Sequence, residues 1–125
     1  MNHSILVVDP IPDDQIDSIL SGYKIIYKTS GEEALEFIEN NPPVAVVISE
    51  FQLAGEMDGM GLFGKLETTS SRTLRVLVTD SFSELDFTYA KERGHIHGFL
   101  SKPFTDKELS EKVISLVQLY EETTD

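Results

Sequence analysis

The chain has 125 residues, with 10 Lys plus Arg against 22 Asp plus Glu for a formal charge of −12, and it contains no cysteine. A chain of this length forms one compact domain that buries about two-thirds of the surface its unfolded form exposes, so it needs neither disulfides nor a structural metal. The missing cysteines exclude thiol catalysis, thiolate zinc sites and iron–sulfur clusters, and they fit a reducing compartment. An isoelectric point near 4.5 opposes binding to phosphate backbones and anionic lipid, so neither nucleic acid nor membrane is an expected partner. A basic protein patch suits this surface better. The longest apolar stretches, residues 5–8 and 44–48, are too short to span a bilayer, and Met1-Asn2-His3 does not open a signal peptide. A cytoplasmic protein is expected.

Taken in chain order, five apolar runs of strand length alternate with segments of helical period. The strands are expected at residues 4–9, 23–28, 44–50, 74–79 and 97–102. Such alternation specifies a parallel sheet covered on both faces. The first, third and fourth runs are nearly unbroken Val, Ile and Leu, which places them at the centre of the sheet. The first helix has only residues 13–20 before Ser21-Gly22, little more than two turns. The second opens on a capping box, Ser30 with Glu33, carries Ala34, Leu35 and Ile38, and stops at Pro42-Pro43. The third is expected over 58–66 and the fourth over 83–93, with Gly94 as a left-handed cap. The fifth opens on Thr105 with Glu108 and runs a stripe of Leu109, Val113, Leu116, Val117 and Tyr120. One domain over 1–120 follows, with 121–125 as a polar tail or the start of a linker.

In an open α/β sheet the ligand crevice lies at the carboxyl ends of the strands, where strand order reverses. The expected strand ends bring Asp9, Glu50, Thr79 and Lys102 to that one edge, with Pro103 following. Each alone would suit the start of a solvated loop; together they form a set of two acids, a hydroxyl and an amine.

At these residues the sequence resembles the receiver domain of bacterial two-component response regulators, over essentially its whole length. Ile5-Leu6-Val7-Val8-Asp9 is similar to the family's opening strand and acidic turn, and residues 46–55 with Met57-Asp58-Gly59 to its phosphoacceptor strand and loop. Leu77-Val78-Thr79 and Phe99-Leu100-Ser101-Lys102-Pro103-Phe104 resemble the two remaining signatures. The resemblance implies a flavodoxin-like, CheY-like doubly wound sheet in the order 2-1-3-4-5 with five helices. It implies a non-enzymatic signalling module in a phosphorelay. Glu50 falls on the phosphoacceptor position, Asp9 in the acidic pocket, Thr79 and Lys102 on the phosphoryl-contact positions, and Phe99 on the aromatic that turns inward on activation.

The sequence departs from that pattern at the chemistry. Glu50 stands where the family has its nucleophilic Asp, and one extra methylene moves the carboxylate off an in-line geometry that tolerates only about an ångström of error. Pro10 stands where the second acid of the metal pair belongs and offers no oxygen ligand. The loop around residues 55–59 is one residue longer than usual, and Asp80 adds a charge expected at the pocket mouth. These departures describe a pseudo-receiver that keeps the fold and is not phosphorylated. Glu50 then either reaches Lys102 and Thr79 in the manner of a phosphoryl group, with Phe99 inward, or only neutralises Lys102 as a structural pair.

Three functions compete. The first is a protein-binding module acting through the fourth and fifth helices and the fifth strand, on an effector, a sensor kinase or a second copy in a homodimer, without cofactor. The second is a working phosphorelay receiver, with Mg²⁺ held by Asp9, Glu50 and the carbonyl of Gln52. The third, a flavodoxin-like cofactor binder, is opposed by the turn Asp9-Pro10-Ile11-Pro12, which lacks the glycines and hydroxyls that cradle a phosphate. Ser49 is expected to point away from Glu50 by strand alternation. His95 and His97 lack a third ligand and read as loop and edge strand. Phe82, Phe87 and Tyr89 exceed what a solvated helix needs.

Overall fold

A computed structural model describes residues 3–11, 14–41, 43–80, 84–93 and 95–123, and within the fourth helix the side chains of residues 86–88, 91 and 92. The elements follow in strict alternation: β1 (Ser4–Val8), α1 (Asp14–Ile19), β2 (Lys24–Lys28), α2 (Gly31–Asn40), β3 (Val46–Ser49), α3 (Gly59–Thr69), β4 (Leu74–Thr79), α4 (Glu84–Glu92), β5 (Gly98–Ser101) and α5 (Asp106–Thr123). The five strands form one parallel sheet in the order β2-β1-β3-β4-β5, as the sequence implies. The three strands of unbroken aliphatic sequence, β1, β3 and β4, are the interior ones. They are buried on both faces.

Strand alternation divides their side chains between two cores. Ile5, Val7, Val46, Ile48, Val76 and Val78 face α1 and α5, where Ile16, Leu109, Val113 and Leu116 meet them. Leu6, Val8, Val47 and Leu77 face the other side, against Ala34 of α2 and Leu62, Phe63 and Leu66 of α3. The Thr105 capping box closes in both directions, whereas the Glu33 carboxylate reaches back past Ser30 to the Thr29 amide. Ser30 accepts from the Glu33 amide at 3.1 Å, and the Thr105 hydroxyl accepts from the Glu108 amide at 3.1 Å while Glu108 accepts from the Thr105 amide at 2.8 Å. Hydrogen bonds from the Thr29 hydroxyl, then the Ser30 hydroxyl and the Thr29 amide, hold the Glu33 carboxyl below its usual value.

Several boundaries differ from expectation, each for a local reason. Asp9, Glu50 and Lys102 lie one residue beyond their strands. Their amides still donate across the sheet, to Lys28 at 3.0 Å, Val8 at 2.9 Å and Thr79 at 3.0 Å, before the chain leaves the ladder. Asp58 is the cap of α3 and not its first residue, accepting from the Gly61 amide at 2.8 Å. The same helix runs a turn past Leu66 to Thr69, with the Thr68 and Thr69 hydroxyls folded back on the Lys65 carbonyl. Residues 121–123, expected in a tail, continue α5, where Glu121 meets His3 at 2.9 Å. The stop at Pro42, the cap at Gly94, Phe82 and the Tyr89 side chain lie outside the described residues. Among the described residues, no helix is long and apolar enough to cross a membrane.

Candidate functional site

Because β1, β3 and β5 run parallel, the residues that follow them come together at one edge. Lys102 reaches across from the end of β5 and sets its Nζ 3.2 Å from Asp9 Oδ2 and 3.5 Å from Glu50 Oε1. The second oxygen of each acid is held by the backbone: Asp9 Oδ1 accepts from the Ile11 amide at 2.9 Å, and Glu50 Oε2 from the Phe51 amide at 2.7 Å. Asp9 and Glu50 are 10% and 16% exposed, so the three charges form a largely desolvated group. Burial pulls the Lys102 ammonium down, but Asp9 and then Glu50 outweigh it and raise Lys102 above its ordinary value. The Lys102–Pro103 peptide bond is cis.

The cluster forms the floor of an open cleft of about 410 Å³, lined also by Pro10, Ile11, Asp14 and Gln52. Thr79 ends β4 fully buried, and its carbonyl accepts from the Lys102 amide, which ties the two strand ends together. Phe99 is half-buried on the α4 side of the sheet, its ring 5.8 Å from that of Phe87 and tilted by 33°. Ser49 is buried, and its hydroxyl donates to the Glu50 carbonyl at 2.8 Å. Asp80 is exposed and is not among the residues that line the cleft, contrary to the position expected for it. Asp14 was missed by the sequence reading. Asp14, in the first turn of α1, brings a further carboxylate to the cleft, and the pair Asp13-Asp14 was its only signal in the sequence.

The loop from Phe51 to Asp58 is fastened to α2. Ala54 bridges Ser30 in parallel and donates to the Thr29 carbonyl at 3.2 Å; Gly55 turns with φ +85°, and the Glu56 amide donates to Glu32 at 3.3 Å. At the far end, Gly59 donates to the Phe51 carbonyl at 2.8 Å. The backbone that carries Glu50 is thereby pinned on both sides.

A Mg²⁺ ion takes about six oxygens near 2.0–2.1 Å. Here the Lys102 ammonium already sits between the two carboxylates, their other oxygens accept backbone hydrogen bonds, and Pro10 supplies no ligand. Among the described residues, no three acidic, His or Cys side chains are grouped for a metal. The donor set Asp9, Glu50 and Gln52 does not fit the ion in this arrangement. The two histidines serve the fold instead. His97 Nδ1 accepts from the Arg75 amide at 2.9 Å, which fixes the proton on its other nitrogen, and His95 lies 3.6 Å from Glu67. Burial first, then Arg75, lowers His97 from 6.5 to about 4.

A doubly wound parallel sheet with an acid–acid–lysine cluster at its switch point defines a CheY-like α/β domain. The sequence model for the response regulator receiver domain matches residues 5–114, and the chain belongs to that family. It is 28% identical over 124 residues to the alkaline phosphatase synthesis transcriptional regulatory protein PhoP of Bacillus subtilis (strain 168), covering 94% of this chain and 50% of that protein. The chain thus spans about half the length of that relative. Among solved structures, the signal receiver domain of an HD domain-containing protein from Pseudomonas fluorescens Pf-5 superposes with a TM-score of 0.87 at 26% identity, covering 97% and 90% of the two chains. A CheY-like receiver domain protein from Methanospirillum hungatei JF-1 shares the fold, with a TM-score of 0.84 at 21% identity over 99% and 100%.

Proposed function

We propose that this receiver domain signals by binding protein partners and is not switched by phosphorylation at Glu50. The supporting observation is that both oxygens of the Glu50 carboxylate are engaged, one by Lys102 and one by the Phe51 amide. In that geometry Glu50 is a fixed charge partner for the lysine and not a free nucleophile. A carboxylate so held supplies permanently the negative charge that a phosphoryl group supplies transiently. Asp9 and Thr79 belong to the same pocket, Phe99 is the aromatic that couples it to α4, and Pro103 shapes the turn after Lys102.

The binding face in this reading is formed by α4, β5 and α5, where Phe87 and Phe99 meet and Leu119 is 40% exposed. Its partners are an effector, a sensor kinase or a second copy of the chain, in a cytoplasmic setting. In this reading the domain is a non-catalytic module that works without a cofactor.

The test is intact-mass analysis after incubation with Mg²⁺ and a small phosphodonor, beside a Glu50→Asp, Pro10→Asp double variant. The expected result is no adduct on the unaltered chain and a phosphoryl adduct on the variant. An adduct on the unaltered chain would restore an ordinary phosphorelay receiver and overturn the reading.

A further inference from the structure

Away from the cleft, the C-terminal ends of α2 and α3 part over a second groove, of about 740 Å³. Leu35, Ile38, Glu39, Pro43, Lys65 and Thr69 line it. Leu35 and Ile38 are half-buried, resting on the core beneath and exposing their outer surfaces to the groove. The next side chains around α2 are Glu39, Glu32 and Glu36, all exposed and spaced by four and three residues, so they form one ridge beside the apolar floor.

That ridge is electrostatically unfavourable to the helix that carries it. α2 contains four Glu and no Lys or Arg, a formal −4 of the chain's −12. Like charges three and four residues apart oppose a helix, and Glu39 sits in the last turn, where the backbone dipole is already negative. Neither Glu36 nor Glu39 has an ion-pair partner among the described residues. On α5, by contrast, Lys107 stands 3.8 Å from Glu111. An apolar floor with the acidic ridge of α2 along one side and Lys65 on the α3 side is complementary to a segment with apolar side chains on one face and cations along the edge that faces α2.

We propose that the α2–α3 groove docks a basic amphipathic segment of a partner protein. Its apolar side chains rest on Leu35, Ile38 and Pro43, and its Lys or Arg side chains lie against Glu36 and Glu39. This surface is separate from α4, β5 and α5, and its use does not depend on the chemical state of Glu50.

The probe is a synthetic helical peptide of roughly 18 residues with Leu at three- and four-residue spacing flanked by Lys. It is titrated into the ¹⁵N-labelled chain at about 0.15 M salt, where loose charge attraction is screened. Amide shifts are expected to concentrate at residues 35–43 and 65–70. Ile38→Ser and a Glu36→Gln, Glu39→Gln pair are each expected to weaken binding about tenfold, the latter without touching the core, and Ile114→Ser to leave it unchanged. Shifts spread over the whole acidic surface, shifts centred on the Asp9 cleft, undiminished affinity in the Glu36→Gln, Glu39→Gln pair or in a folded Ile38→Ser protein, or a groove already covered by a second copy in sedimentation, would each overturn the proposal.

Discussion

Replacing Lys102 by Met keeps the side chain's length and apolar stem and removes only its charge. In the native pocket the ammonium faces two carboxylates at 3.2 and 3.5 Å, in a site where the lysine itself is 27% exposed. At an effective dielectric near 20, each contact is worth about 5 kcal/mol of Coulomb energy before desolvation. Desolvation cancels much of that, but removal of the cation leaves Asp9 and Glu50 facing one another without a counter-charge. Breaking a buried pair in this way costs about 3–5 kcal/mol, and the partial exposure here reduces the expectation to about 2–3 kcal/mol. Urea unfolding followed by circular dichroism at pH 7 measures it. The decisive control is the second substitution. Glu50→Gln in the Lys102→Met background removes one of the two repelling charges and is expected to recover about 1–2 kcal/mol, whereas Glu50→Gln alone is destabilising. A Lys102→Met protein as stable as the parent, or a double variant whose losses simply add, would refute the view that these three side chains form one electrostatic unit.

Two further outcomes follow from other parts of the fold. His97, held to about 4 against 6.5 when unfolded, binds its proton more weakly in the native state, so its contribution is complete above pH 6.5 and is lost as pH falls through 4. The groups that face it are Arg75 and Glu67, and the expected loss is on the order of 2 kcal/mol after discounting for solvent. An NMR titration of the His97 ring with a midpoint near 6.5 would contradict it. At the start of α3, a Cβ added to Gly59 would stand 2.5 Å from the Glu50 carbonyl oxygen and 3.1 Å from Leu77 Cδ1. Gly59→Ala should therefore cost about 1–3 kcal/mol and shift the amides of Glu50 and Phe51; a melt within about 0.5 kcal/mol of the parent would show that the approach is not tight.

What was legible in the sequence was whatever depends on local pattern. An unbroken run such as Val46-Val47-Ile48 has no polar face to offer solvent, so it declares an interior strand without reference to the rest of the chain. A helix cap works within four residues, so both helix starts were legible, although the Glu33 carboxylate goes to Thr29 and not to the Ser30 amide. The end of α3 was not legible. Glu67-Thr68-Thr69-Ser70 reads as a loop, yet the Ser70 amide closes the turn on the Leu66 carbonyl and two hydroxyls fold back onto Lys65. Asp14 joins the cleft through the placement of α1 beside the strand ends, and that placement is a tertiary property. The α2–α3 groove depends in the same way on how two helices diverge.

The expectation for Glu50 was legible in its first half only. That it could meet Lys102 followed from their places at strand ends on one edge of the sheet, but the sequence could not say where the second carboxylate oxygen would go. In the structure it turns back to the Phe51 amide, the residue immediately after it. This separates two kinds of stand-in for a phosphoryl group. A side chain that reached outward to recruit the α4 side of the pocket would pull on Phe99; one anchored to its own backbone holds Lys102 and exerts its influence through charge. If the second holds, Glu50→Gln should move Lys102 while leaving the Phe87–Phe99 contact in place. Aromatic side-chain NMR of those two rings reads this directly, and a displaced Phe99 ring in Glu50→Gln would show instead that the carboxylate and the α4 face are mechanically coupled.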